Sequence, residues 1–543
     1  MNTNNYQADV VVVGGGIAGI VTTLELLNHG KSVVMLDRDI SERFGGLAKE
    51  SFGGMFFVDT KHQRRLGIND HPDLAMRDWL STAHFGSEDY WPRKWAEKYV
   101  YQCTEHVYKW LLDKDVSFFP VLNWVERGLL KPGNSVPRFH MVWGTGYGLT
   151  MRMIELLQAH QHAERLSQHF RHRVRDLVVE NGVVKGVRGM DEGRNEAFEA
   201  KGECVVIATG GINGSIEKVK ENWYKPWGEA PEKILNGSHQ YAIGDLHEAS
   251  ERINGHVTNL DWQWNYAAGI HHPEPKRPNH GLSLVPSKSA LWMNYKGERF
   301  GPMPLLTAYD TRFLVEEICK QPIKYSWQVM NMKIAKKELA ISGAEHNPTI
   351  RDKKMFKFVL ATLLGNAGLV NQMLDTSIDF VAADSVEELA DKMNELTGAG
   401  HVDAKRMRAD IEAYDAQIDR GIKYFNDEQL RRLVHLRQYR GDRVRTCKYQ
   451  KIIDRKAMPL IAIREFILTR KSLGGIQTDL SCRVMTKPVN GEQQPIEGLY
   501  AIGEATGFGG GGMHGKGALE GTFLGGCVLT ARAAAYAIIG KEL

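Results

Sequence analysis

The chain of 543 residues is short of several things, and each shortage excludes a class of protein. It has six cysteines, Cys103, Cys204, Cys319, Cys447, Cys482 and Cys527, widely scattered and never in a C-x-x-C pair. That excludes a disulfide framework, a C-x-x-C zinc site and an iron–sulfur or haem-attachment motif, and suits a reducing compartment. No block of like charge occurs. With 69 basic and 65 acidic residues the net charge is only +4, so neither a nucleic-acid groove nor a polybasic anchor is expected. The first residues, "MNTNNYQADVVVVGGG", lack the basic and apolar regions of a signal peptide. No run reaches the roughly 20 apolar residues of a membrane span. The late apolar segment Phe523 to Gly540 is interrupted by Arg532 and reads as a buried helix. A cytoplasmic protein without a membrane span or nucleic-acid partner is the expectation. Self-association is compatible with it.

Glycine is abundant and unevenly placed. Ala8 to Val13 is a β-branched run that reads as a buried parallel strand. Gly14, Gly16 and Gly19 follow in G-x-G-x-x-G spacing, then a helix-like segment to Asn28, a second strand to Leu36, and Asp37, 18 residues after the last glycine. The combination is that of a dinucleotide-binding βαβ unit. Gly14 makes the tight turn, Gly16 admits the pyrophosphate to the backbone, and Gly19 lets helix and strand pack. The helix N-terminus favours the phosphate charge, and Asp37 suits ribose hydroxyls. "ECVVIATGGING" (Glu203 to Gly214) is another apolar strand entering a glycine turn, and "GLYAIGE" a third, ending on Gly503 and Glu504. A glycine tract follows, "GEATGFGGGGMHGKGALEGT", which holds one histidine, His514.

Read in order, "VVVGGGIAGI", "GGLAKESFGGMFF", "VVIATGG", "GERF", "KSLGGIQTD" and "GLYAIGEATGFGGGGMHG" resemble the fumarate reductase, succinate dehydrogenase and 3-ketosteroid dehydrogenase flavoproteins, and among them a bacterial group of FAD-binding dehydrogenases. The resemblance implies an α/β protein. A discontinuous Rossmann-like FAD-binding domain (1–261 and 459–543) would surround an inserted α+β substrate or cap domain (262–458). It implies FAD contacts at Gly14, Gly16, Ile17, Ala18, Gly19, Asp37 and Arg38, then at Gly46, Leu47, Ser51, Gly53 and Gly54. Further contacts would come from Val174, Ala208, Thr209, Gly210 and Asp245, and from Gly503, Glu504, Thr522 and Leu524. Leu47 stands where succinate dehydrogenases carry the histidine that attaches FAD, so non-covalent FAD is implied. Without haem or cluster motifs, electrons must pass to or from an external carrier.

Departures from the family pattern bear on substrate. Where fumarate reductases have a histidine before a "GG" turn, this chain has Arg470 and Lys471, and where they clamp a carboxylate with arginine after the late "HG", it has Ala518. Losing that bidentate fork counts against a C4 dicarboxylate. No tyrosine lies between Gly503 and Thr530, so the ketosteroid enzymes' late-loop tyrosine is not carried over either. A flavin dehydrogenase acting beside a carbonyl needs a proton acceptor and donors for the developing enolate. The candidates are His514, Arg312, Tyr309, Lys471 and Tyr241, with His239 beside the last. Trp143 reads as core. His271, His272 and His280 lie in a proline-rich loop with no carboxylate or cysteine at ligand spacing, which reads as a loop and not a metal site. Dehydrogenation of an apolar, ketosteroid-like small molecule, or the reverse C=C reduction, is the leading reading. Reduction of an unsaturated carboxylic acid is the alternative. A flavoprotein that binds a partner with little turnover is a third.

Overall fold

The computed structural model describes residues 4–121, 123–128, 132–306 and 310–543. It is mixed α/β. The four consecutive valines Val10–Val13 are all buried, and they lie between Val33–Leu36 and Cys204–Ile207, paired in parallel with both. Leu166–His169 extends this sheet on one side and Pro495–Ala501 on the other, both in parallel, and Arg483–Met485 closes that edge antiparallel. The strand before the first glycine turn, Val10–Val13, and the late strand Pro495–Ala501 thus belong to one six-stranded sheet. Helices Ile17–Asn28 and Thr522–Ile538 pack together beside it in one core. Their contact carries a buried ion pair, Arg532 Nε to Glu25 Oε1 at 2.7 Å. A four-stranded sheet (Asn4–Gln7, Glu196–Lys201, Val183–Asp191, His172–Glu180) lies alongside.

Eight further strands form a sheet centred on Leu460–Ser472, 13 residues long. Gln263–His271 and Tyr325–Asn331 flank that strand antiparallel. Leu460, Ile461, Ala462, Ile463 and Ile467, in the segment that the sequence places with the FAD-binding domain, pack into the separate core of this second sheet. Helices Val386–Thr397, Ala404–Asp419 and Glu428–Leu436 cover it, close to where capping residues and apolar spacing predict them. Ser385 Oγ, for example, accepts the Glu388 N–H at 3.1 Å. Among the described residues no helix is long and apolar enough to cross a membrane.

The glycine tract is buried and ordered. Gly503, Gly507, Gly509, Gly510, Gly511, Gly512 and Gly515 all have positive φ. A Cβ at Gly509 would lie 2.7 Å from the Trp95 ring, and one at Gly515 2.0 Å from the Ala83 carbonyl oxygen. The tract therefore packs against helix Tyr90–Cys103 and the end of helix Pro72–Ala83, where side chains would not fit.

Candidate active site

A groove opens at the carboxyl ends of the parallel strands, the usual ligand position in such sheets. Gly14 turns at φ 110°, and a Cβ there would meet the Ala208 carbonyl oxygen at 2.3 Å. A Cβ at Gly19 would meet the Gly14 carbonyl oxygen at 2.0 Å, whereas Gly16 has nothing within 4 Å and lines the groove. Helix Ile17–Asn28 starts at Gly16 with no side-chain cap, so its first N–H groups are free for an anion. Asp37 Oδ2 accepts the Gly15 N–H at 2.7 Å and Oδ1 accepts that of Asp39 at 2.7 Å, which pins the glycine turn to the second strand. Burial raises the Asp37 carboxyl above its ordinary range.

Of the expected cofactor residues, the groove gathers Gly14, Gly16, Ile17, Ala18, Asp37, Arg38, Gly46, Leu47 and Ser51. It also gathers Val174, Ala208, Thr209, Gly210, Asp245, Glu504 and Leu524. At one end Arg38 lies 4.6 Å over the Tyr241 ring, and Arg173 pairs with Asp245 at 2.7 Å. His239, also in the groove, reaches Asp39 at 3.2 Å. At the other end Glu504 Oε1 accepts the Ser472 N–H at 3.0 Å. Burial moves the Glu504 carboxyl up and the neighbouring Lys471 ammonium down. Five expected residues are placed otherwise. Gly19 serves helix packing, Gly53 and Gly54 line the next cavity, and Gly503 gives its N–H to Thr530 Oγ1 at 3.0 Å. Thr522 turns its hydroxyl back to the Leu519 carbonyl at 2.7 Å.

A second cleft of about 1150 Å³ adjoins the groove, and the two share Ser51, Arg470, Lys471, Phe523 and Leu524. Its walls are mostly apolar: Phe52, Val125, Phe139, Ala267, Ala268, Leu284, Val285, Pro286, Trp292 and Leu314. Strand Gln263–His271 is irregular between Tyr266 and Gly269 where it pairs with Leu460–Ser472. A regular strand would send alternate residues to opposite faces, but here Tyr266, Ala267 and Ala268 all reach the cleft. Tyr266 donates its hydroxyl to Glu520 Oε1 at 2.6 Å, and Trp264 Nε1 donates to the same oxygen at 3.4 Å. No described residue hydrogen-bonds Glu520 Oε2. Across the cleft is Glu126, held at φ 52°, with its carbonyl accepting the Asn134 N–H at 2.7 Å and its Oε1 accepting from Thr311 Oγ1 at 2.9 Å. Burial, reinforced by the Glu520 charge, raises the Glu126 carboxyl well above the usual range and so favours its neutral form. Lys471 Nζ lies 3.9 Å over the Phe523 ring, where groove and cleft meet.

Of the expected catalytic residues that are described, only Lys471 lines this cleft. His514 is fully buried in an aromatic box, stacked on Trp79 at 5.4 Å and edge-on to Phe508 at 5.2 Å. It lines neither cavity, both its ring nitrogens lack partners, and burial drops its pKa to about 3. Arg312 turns away, between the Tyr224 and Trp227 rings at 4.2 and 4.5 Å, and donates to the Lys516 carbonyl. Tyr241 belongs to the groove, and Tyr309 lies outside the described residues. Ala518 is buried in the core. Glu126, Tyr266 and Glu520 were not singled out from sequence. Glu520 is two positions past Ala518 in the motif that drew attention to the missing arginine. The signal was thus adjacent, but its pairing with a tyrosine 254 positions away was not visible.

The histidine loop needs a correction. The fold brings His346 and Glu345 to His272, with one ligand atom of each within 4.8 Å of the others. The carboxylate missing from the local spacing arrives from another segment. Even so, His272 Nδ1 accepts the Glu274 backbone N–H at 2.9 Å, which leaves the ring proton on Nε2, facing Glu345 at 3.5 Å. The ring then turns an N–H and not a lone pair toward Glu345, which counts against a metal ligand there.

Comparison with known proteins agrees with the geometry. Residues 9–524 match the family model described as FAD binding domain. A KsdD-like steroid dehydrogenase of Mycobacterium tuberculosis is 40% identical over 98% of this chain and 96% of its own length. In structure the chain is similar to a 3-ketosteroid delta1-dehydrogenase from Sterolibacterium denitrificans (TM-score 0.69, 16% identity, 98% of this chain and 99% of that one). It is also similar to a flavocytochrome c3 fumarate reductase (TM-score 0.67, 20% identity, 98% and 78%). The open cradle at Gly16, the uncapped helix and the paired sheets fit the cofactor that this family binds, and the chain belongs to the FAD binding domain family, as an FAD-dependent oxidoreductase acting on CH–CH groups.

Proposed function

We propose that this enzyme dehydrogenates a ring ketone, of the ketosteroid class, between the carbon next to the carbonyl and the carbon beyond it. The observation that carries this reading is the apolar cleft, which shares a wall with the cofactor groove and holds two carboxyl groups in unlike environments. Environments that push two acids apart divide their roles. Glu126, neutral, is the donor to the carbonyl oxygen, where negative charge develops. Glu520, whose Oε1 holds the Tyr266 and Trp264 donors, offers Oε2 to the proton leaving the adjacent carbon. Tyr266 and Trp264 fix the angle of that carboxylate. When bound, FAD supplies the two-electron acceptor for the hydride from the next carbon. Lys471 places positive charge at the junction, and the apolar walls exclude water. FAD is held non-covalently, since Leu47 offers no nucleophile, between a discontinuous Rossmann-like domain and an inserted α+β cap. An external carrier reoxidises it. The six cysteines are all buried and free, which suits the cytoplasm.

Anaerobic mixing with 4-androstene-3,17-dione should bleach the flavin absorbance. If neither it nor other ring ketones change the spectrum, the substrate reading fails. Glu520→Gln should lower kcat by about 100-fold or more while KM changes little, the size of effect expected for a lost general base. An unchanged kcat would remove Glu520 from the role.

A second reading, reduction of an unsaturated carboxylic acid, draws on Arg470 and Lys471 lining the same cleft. The Glu520 carboxylate opposes an anion there. Under that reading Lys471→Ala raises KM for the acid sharply, and under the ketone reading no such acid reacts.

A further inference from the structure

Helix Met355–Leu364 is ten residues long and buries none of them fully. Its exposed residues are apolar: Phe356 is 81% exposed, Leu364 76%, Leu363 64%, and Met355, Val359 and Leu360 nearly half each. Met355, Val359 and Leu363 recur every four residues, as do Phe356, Leu360 and Leu364, so they form one continuous outward stripe. Soluble monomers rarely leave such a patch uncovered. Residues 351–364 hold Arg351, Lys353, Lys354 and Lys357 against a single carboxylate, Asp352. The three lysines are exposed. On the inner side Phe358 packs on Phe119 at 5.1 Å, and the same small cluster contains Phe52 and Phe139, which line the cleft. The stripe and the cleft are therefore two sides of one apolar partition.

We propose that this helix seats the enzyme on the surface of an anionic phospholipid bilayer. A ten-residue helix is about 15 Å long, half the hydrocarbon thickness, so it lies in the interface and does not span it. Phe356, Leu360 and Leu364 enter the acyl boundary, and the lysines at its rim meet the anionic head groups. A second copy of the chain is the less suitable occupant. A two-fold contact would set the lysine rim against itself, with no acid of the helix to answer it. The apolar partition would then open the cleft toward the phase in which an apolar substrate dissolves.

The test uses the full-length, FAD-loaded protein and needs no substrate, so it stands apart from the ketone reading. Phosphatidylcholine vesicles containing phosphatidylglycerol are floated with the protein, alongside pure phosphatidylcholine. Wild type should float with the anionic vesicles. The triple change Phe356→Ser, Leu360→Ser, Leu364→Ser should weaken binding at least about tenfold. Lys353→Gln with Lys354→Gln and Lys357→Gln should cost roughly fivefold per lysine on anionic vesicles and nothing on neutral ones. Leu364→Cys carrying an environment-sensitive dye should shift to the blue when vesicles are added, a readout independent of the triple variant. The proposal is overturned if wild type stays with the soluble fraction, if the serine variant floats as well as wild type, or if the dye does not shift. It is equally overturned if light scattering gives a wild-type dimer that the serine changes convert to monomer, because the stripe is then an interface between copies.

Discussion

His514 shows how one residue's environment decides its part. It sits in the loop that sequence reading placed against the flavin, yet Trp79, Phe508 and Phe523 surround it at ring distances of 5.0 to 5.4 Å. An imidazolium has no place in such a box, so its pKa falls to about 3. The folded value lies below the unfolded one of about 6.5, so this residue's stability contribution is complete above that pH and is lost as pH falls. The loss approaches about 1.4 kcal/mol per pH unit. His514→Phe keeps an aromatic ring in the box. Between about pH 7.5 and pH 5 its stability should gain about 2 kcal/mol relative to wild type, read from urea melts at each pH. A constant difference between the two proteins would show that the ring is not held neutral. At the same scale Glu126 is the opposite case. The same desolvation that disfavours a proton on His514 favours one on Glu126, and Glu126 lines a cleft.

Among elements, the first and last helices carry the largest shared obligation. Ile17–Asn28 presents the glycine turn to the groove, and Thr522–Ile538 backs it, joined by Glu25 and Arg532 with side chains 5% and 9% exposed. Arg532 also donates to the His106 carbonyl at 2.7 Å. Removing one partner strands a buried charge. Arg532→Met alone should cost about 3–5 kcal/mol, whereas Arg532→Met with Glu25→Leu should recover most of it. Denaturant melts of the four proteins measure the cycle, and simple additivity would contradict a charge-driven pairing. Gly19→Ala acts where the same helix meets the strand. With only 2.0 Å to the Gly14 carbonyl oxygen, a methyl group must displace the turn. Purified variant protein should carry little FAD. A full complement would mean that the turn relaxes without losing its ligand.

For the whole molecule the decisive property is that one sheet is assembled from segments far apart in the chain, with the cofactor groove at its strand ends. A cofactor held there without a covalent bond is released when the sheet comes apart. Acid or heat denaturation should leave the yellow colour in the supernatant, and colour that stays with the precipitated chain would refute non-covalent binding. FAD in excess should also raise Tm, because it binds the folded state alone.

Much of the groove was legible because its chemistry is local. A β-branched run, three glycines at set spacing and an acid after the second strand each act within a few residues, and Gly14, Gly16 and Asp37 stand where that spacing puts them. The cleft was less legible for the converse reason. Tyr266 looks like part of an apolar strand until the irregular pairing turns it inward, and Glu126 depends on a positive-φ turn among irregular residues. Glu520, in a turn, acquires its meaning from a tyrosine on the eight-stranded sheet. The pairing of Leu460–Ser472 was equally illegible, since an apolar strand can pair with any sheet that offers an edge. The sequence alone determined the cofactor class and the absence of the dicarboxylate arginine, because both rest on short-range backbone geometry and on residue identity. Only the tertiary structure decided which polar groups share the cleft, which of them are charged, and which histidine is sealed away. Those outcomes depend on desolvation and on contacts between residues hundreds of positions apart, and no local pattern records either.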